Sequence, residues 1–97
     1  MPVFYPTNQG SVTMTADTVA ASVALVSLAP DVLVTVTGAQ VVHIRFGRSD
    51  VVATVAESVP VLAGTQQMIR RDMTETHVSA ISAGGPSSIT FSTGVGY

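Results

Sequence analysis

The chain of 97 residues is the length of a single domain, and a domain this short has only a thin stability margin from its own core. Charged residues make up 10% of it, against about 25% in ordinary soluble domains, and lysine is absent. A net charge of −2 and only four cations argue against a nucleic-acid surface, so no nucleic acid partner is expected, and the lack of cysteine excludes disulfides and thiolate metal sites.

Hydrophobic residues account for 46% of the chain. A small domain keeps itself soluble and monomeric with surface charge; this one has little, so part of its surface is expected to be covered by a partner. No membrane partner is expected. The longest apolar-rich stretch without charge, residues 18–30, is shorter than the ~20 residues of a spanning helix and is interrupted by Ser22 and Ser27. The opening segment has no cationic start of a secretory signal, so a soluble, unexported product is expected.

Residues 1–10 place Phe4 and Tyr5 between Pro2 and Pro6. Proline holds a segment extended and keeps it out of a central strand. An extended N-terminal arm is therefore predicted, with Phe4 and Tyr5 as aromatic anchors for an interface. The arm is expected to reach onto a neighbouring subunit or another protein of the assembly; the alternative is that it folds back over the domain's own core.

Residues 11–93 are predicted to form one all-β domain. Valine and threonine dominate, and β-branched side chains suit a pleated, half-buried surface. Residues 19–28 can be read in two ways. Alanine content and Asp17 as an N-cap permit a helix, whereas the serines, the valines and the β surroundings favour a strand. In residues 32–37, Val32, Val34 and Val36 share one face. Gly38 and Ala39 turn the chain, and residues 41–46 follow with Val42, Ile44 and Phe46 inward. This pair is predicted to be a hairpin.

Residues 47–50 read as a loop and residues 51–55 as a short strand. Val59, Pro60 and Val61 read as an edge segment, because proline cannot donate to a ladder. Residues 66–71 and 77–82 are further strands, separated from residues 88–93 by a turn at Ala83-Gly84-Gly85-Pro86-Ser87. Ile89 and Phe91 point inward. Residues 94–97, with Gly94 and Gly96, are predicted to be a flexible tail ending in Tyr97. Seven or eight short antiparallel strands imply a β-sandwich or a jelly roll.

The pattern gives chemistry little to work with. His43 and His77 suit acid–base or metal work near neutral pH, yet neither belongs to a His-x-x-His or His-Glu-x-x-His spacing. No Gly-x-Ser-x-Gly elbow presents a serine nucleophile. Gly84-Gly85-Pro86-Ser87-Ser88 lacks the Lys-Ser/Thr ending of a phosphate loop. The six carboxylates are scattered near predicted loops, and nothing selects a pair for sugar cleavage. No enzyme, no metal and no cofactor are expected. Arg45, Arg48, Arg70 and Arg71 are the candidate interface cations, because the planar guanidinium pairs bidentately with carboxylates.

Several segments together resemble a known group. Val41-Val42-His43-Ile44-Arg45-Phe46-Gly47 is followed by Val51-Val52-Ala53-Thr54, then by Val59-Pro60-Val61-Leu62-Ala63-Gly64-Thr65. Thr76-His77-Val78-Ser79-Ala80-Ile81-Ser82-Ala83 and Ile89-Thr90-Phe91-Ser92-Thr93-Gly94 complete the order. It resembles small β-sandwich virion proteins of tailed bacteriophages, a group often linked with capsid decoration, over residues 32 to 97. Residues 1 to 31 match only loosely.

These motifs are strand patterns and turn glycines, so they mark a fold family better than a function. The resemblance implies a homo-oligomer, with a trimer as the expected order, bound to the major capsid protein on the outer surface of the head. It implies synthesis in the host cytoplasm and carries over no catalytic residue. A neck or tail component of the virion is the alternative. A carbohydrate-binding sandwich is the second, disfavoured by the absence of tryptophan for stacking.

Overall fold

The computed structural model describes residues 4–25, 30–72 and 74–96, with side chains from residue 11 to residue 94. All its regular structure is β. Eight strands are formed: β1 (Phe4–Ala16), β2 (Ala21–Ala24), β3 (Asp31–Val36), β4 (Val42–Gly47), β5 (Val59–Val61), β6 (Gln66–Arg70), β7 (His77–Ile81) and β8 (Ser87–Gly96). They make two four-stranded antiparallel sheets, in the orders β1-β8-β3-β6 and β2-β7-β4-β5. Each of the first four strands pairs with its counterpart counted back from the end of the chain. That is a jelly-roll order, in which a long hairpin is rolled over itself.

Side-chain alternation explains which faces meet. Val32, Val34 and Val36 of β3, Ile89 and Phe91 of β8, and Ala16 of β1 are buried from the first sheet. Val42 and Ile44 of β4, Val61 of β5, and Val78 and Ala80 of β7 meet them from the second. Burying these side chains is the main favourable term, at about 25 cal/mol per Å² of apolar surface removed from water. On the outer face of the first sheet, β1 and β8 share a hydroxyl ladder. Ser11 meets Ser92 at 2.8 Å and Thr13 meets Thr90 at 2.9 Å across β1 and β8.

The strand between residues 21 and 24 resolves the helix-or-strand alternative where it is described; residues 26–29 lie outside the described residues. Pro60 does sit on an edge strand, β5. Three expectations are corrected. Residues 32–37 and 41–46 do not form a hairpin: β3 pairs with β6 and β8, whereas β4 pairs with β5 and β7 in the other sheet. The Gly38 N–H bonds to the Ser88 carbonyl instead of closing a tight turn. Alternation puts the same valines inward for either partner, so it fixed the faces and left the pairing open.

Residues 51–55 form no strand. They lie on the outer face of the second sheet, where the buried Ala53 donates its N–H to Ser79 Oγ at 2.9 Å. The arm and the tail are also redrawn, because each contributes to the first sheet. Phe4, Tyr5 and Pro6 pair with Gly96, Val95 and Gly94. The register then shifts, with residues 7–10 standing opposite Thr93 before Ser11 meets Ser92. The bulge accommodates the proline-bearing segment at a sheet edge, where a missing donor is tolerated.

Candidate functional site

The strand registers bring the expected interface residues toward one end of the sandwich. The start of β1, the end of β8, Asp31 of β3 and Arg70 of β6 share that end of the first sheet. Gly47 of β4 and His77 of β7 mark the same end of the second. Residues 48–58 and 71–76 connect strands there. The backbones of Phe4 and Tyr5 are placed at this end in β1, and Tyr97 lies outside the described residues.

Arg45 projects from the outer face of β4, and its Nη1 lies 4.0 Å from Glu57 Oε2 with both side chains exposed. A contact that long between solvated groups contributes little. Arg48 begins the connection after β4, where its carbonyl accepts the Val51 N–H at 3.0 Å. Together with Phe46, Gly47, Asp50, Val51 and Val52, the two arginines line an open depression of about 370 Å³. Gly47 makes it possible: a Cβ there would lie 2.8 Å from the Val51 Cβ and Cγ2, too close for any side chain. Phe46, Val51 and Val52 give the lining its apolar part, and Arg45, Arg48 and Asp50 bring both charge signs. Such a surface can seat an apolar side chain and pair a carboxylate beside it, and it offers no nucleophile.

Arg70 and Arg71 divide in role because consecutive strand residues point to opposite faces. Arg70 lies outside and forks onto Asp31, with Nε–Oδ1 at 3.0 Å and Nη2–Oδ2 at 3.4 Å. The hydrogen bonds to Asp31, then its charge, raise the Arg70 pKa further above its ordinary value. Arg71 is buried and acts within the fold. Its Nη1 donates to the Glu75 carbonyl at 3.0 Å, and its N–H donates to the Pro30 carbonyl at 2.8 Å. Burial lowers its pKa, with Glu75 opposing. Of the four candidate cations, Arg45, Arg48 and Arg70 are the exposed ones.

His43 and His77 lie on the outer face of the second sheet. His77 Nδ1 is 2.8 Å from Thr76 Oγ1. His43 Nδ1 is buried without a hydrogen-bond partner among the described residues. Among those residues, no three histidine, aspartate or glutamate side chains converge on a point. Sequence reading missed Val51 and Val52 as walls of the depression, because alternation suggested a strand there, and it read Asp50 only as part of a loop.

No protein-family model and no curated sequence matches the chain. Solved structures with a similar fold do exist. A chain from the disulfide-linked pili formed by Bacillus endospore appendages aligns at a TM-score of 0.60 with 21% identity, covering 99% of this chain and 87% of that one. PirA aligns at 0.55 with 15% identity, covering 90% and 95%. HppE, crystallised with Co(II) and substrate, aligns at 0.50 with 11% identity, and this chain spans 51% of its length. At these identities the likeness is one of fold.

Proposed function

We propose that the chain is a structural subunit that does no chemistry and works by packing into a larger protein assembly. The assembly we favour is a virion, with the chain on the outside of a tailed-phage head as a capsid decoration protein. The observation that carries the structural reading is the surface. Val19, Val52, Val55, Val59 and Leu62 are exposed on a chain of which only 10% is charged. A lone domain of this kind is an association hazard, and a subunit of an assembly hides such residues against its neighbours. The segments resembling phage head proteins support the virion. Added buried area, repeated over a symmetric shell, would reinforce coat-protein contacts through avidity.

A second reading is favoured by the fold shared with the endospore appendage pili. Those pili are disulfide-linked. This chain has no cysteine, so a filament built from it would be held by non-covalent contacts alone. Stoichiometry in purified particles separates the readings. Hundreds of copies per head support decoration, about a dozen point to the neck, and recovery in filaments without heads points to an appendage.

A further inference from the structure

Four connections cross between the two sheets side by side at the end opposite the arginines: residues 17–20, 82–86, 37–41 and 62–65. Hydrogen bonds link these connections to one another and to the strand ends beside them. The Ser82 N–H donates to the Asp17 carbonyl at 2.8 Å, and Ser87 Oγ donates to the Gln40 carbonyl at 3.0 Å. The Gly64 N–H donates to the Val36 carbonyl at 3.0 Å, and the Val36 N–H returns to the Thr65 carbonyl at 3.0 Å. The result is a continuous, preorganised pole rather than four independent loops.

Its composition is unlike the rest of the surface. Asp17 is its one charged residue, and its Oδ1 already accepts the Thr18 N–H at 2.8 Å. Apart from Arg45 in mid-strand, all other charged residues lie toward the opposite pole. Val19 is 78% exposed and Leu62 61% exposed at this pole, with Val41, Ala39, Ala83 and Pro86 exposed around them. The exposed valines of the opposite pole, Val52, Val55 and Val59, are interleaved with Arg48, Asp50 and Glu57 instead.

We propose that this uncharged pole is the face through which a second copy of the chain associates, pole against pole. The inference rests on the structural-subunit reading and names its self-contact. Charge decides between pole-to-pole and head-to-tail contact. Two such poles meet with apolar side chains opposite apolar side chains and almost no like-charge repulsion. Head-to-tail contact would strip water from the charged rim with nothing opposite to pair it. The dimensions permit it: a full 28 × 22 Å face is about 600 Å², so two poles in complete contact would bury at most on the order of 1,200 Å², the lower edge for stable complexes. A contact using the same patch on both partners closes on itself.

The test is light scattering coupled to size exclusion on the full chain, the Leu62→Asp and Val19→Asp variants, and Val55→Asp from the charged pole as a control. All three sites are exposed, so circular dichroism and Tm should match wild type. The expected result is a dimer, rather than the trimer implied by the resemblance, for wild type and for Val55→Asp. Leu62→Asp should weaken association about a hundredfold, since it places an unpaired carboxylate in the contact from each side. An oligomer that survives Leu62→Asp together with Val19→Asp overturns the proposal. So does a wild-type chain that is a 10.0 kDa monomer at millimolar concentration. If that monomer still loads onto particles, and Leu62→Asp prevents loading, the pole belongs to a different partner and the structural-subunit reading survives without self-contact.

Discussion

Asp31 and Arg70 stand directly opposite each other across β3 and β6, and the exposed guanidinium covers a carboxylate whose side chain is only 5% exposed. Arg70 lies on the outermost strand of its sheet, so the fork fastens an edge strand to its neighbour. Arg70→Met keeps the stem and removes the fork; it should lower Tm. Arg70→Lys should recover only part of the loss, because an ammonium cannot make two parallel N–H bonds. The deficit of Arg70→Met should shrink in 1 M salt, where an exposed cation is already screened. Equal Tm values for wild type and Arg70→Met at low salt would contradict this account.

The connection between β4 and β5 is held down by one buried hydrogen bond, from the Ala53 N–H to Ser79 Oγ. Ser79→Ala leaves that N–H without its acceptor under a covered surface. The expected cost is about 1–3 kcal/mol in urea denaturation. Hydrogen exchange at Ala53 should accelerate before the core strands open. Unchanged exchange there would mean that apolar contacts alone hold the segment.

Gly47 should not tolerate a side chain. The Cβ of Gly47→Ala would meet Val51, and overpacking of this kind costs about 1–3 kcal/mol. Adding Val51→Ala should return part of that loss while enlarging the depression. A double variant no more stable than Gly47→Ala would show that the backbone, rather than the Val51 side chain, sets the limit.

The strand faces were legible in the sequence because alternation survives any choice of partner. Val32, Val34, Val36, Val42, Ile44, Ile89 and Phe91 all point inward as their spacing predicts. Pairing was not legible. In a jelly roll the neighbours of β3 are β8 and β6, far along the chain, and no local pattern encodes them. Turn chemistry around Gly38 and Ala39 suggested a hairpin, and the arch that forms there uses the same residues to cross between sheets. The arginines were legible as a type but not in their division. Only strand parity, once the register is known, puts Arg71 inside and Arg70 outside.

Acid should expose the role of Asp72. Its Oδ1 accepts the Thr74 N–H at 2.9 Å and the Thr74 hydroxyl at 3.0 Å, and its own N–H donates to Glu75 Oε1 at 2.8 Å. The backbone hydrogen bond from Thr74, then the hydroxyl, hold its pKa below the ordinary 3.8. A carboxylate depressed in the fold stabilises fully above its unfolded pKa, and that stability disappears as pH falls through the folded value. Asp72→Asn keeps an acceptor and removes the titration. The stability gap between wild type and Asp72→Asn should be flat above about pH 5 and close below about pH 4. A gap independent of pH would refute the assignment.

The depression beside β4 and the uncharged pole should fail separately when each is altered. The depression sets Val51 and Val52 beside two exposed guanidinium groups, so its natural complement is a partner surface carrying a carboxylate next to an apolar side chain. Charge at such a rim acts chiefly on the rate of encounter, whereas a desolvated pair acts on residence time. Arg48→Glu reverses one charge at an exposed site and should leave the unfolding free energy within about 0.5 kcal/mol of wild type. If the depression meets a partner in the assembly, Arg48→Glu should reduce attachment to undecorated particles at least tenfold while self-association of the free chain is unchanged. Arg45→Glu, which also loses the distant contact to Glu57, should do the same more weakly. Surface plasmon resonance on immobilised particles separates the two rates. Full attachment by a folded Arg45→Glu, Arg48→Glu double variant would remove the depression from the interface and leave the apolar surface as the whole basis of assembly.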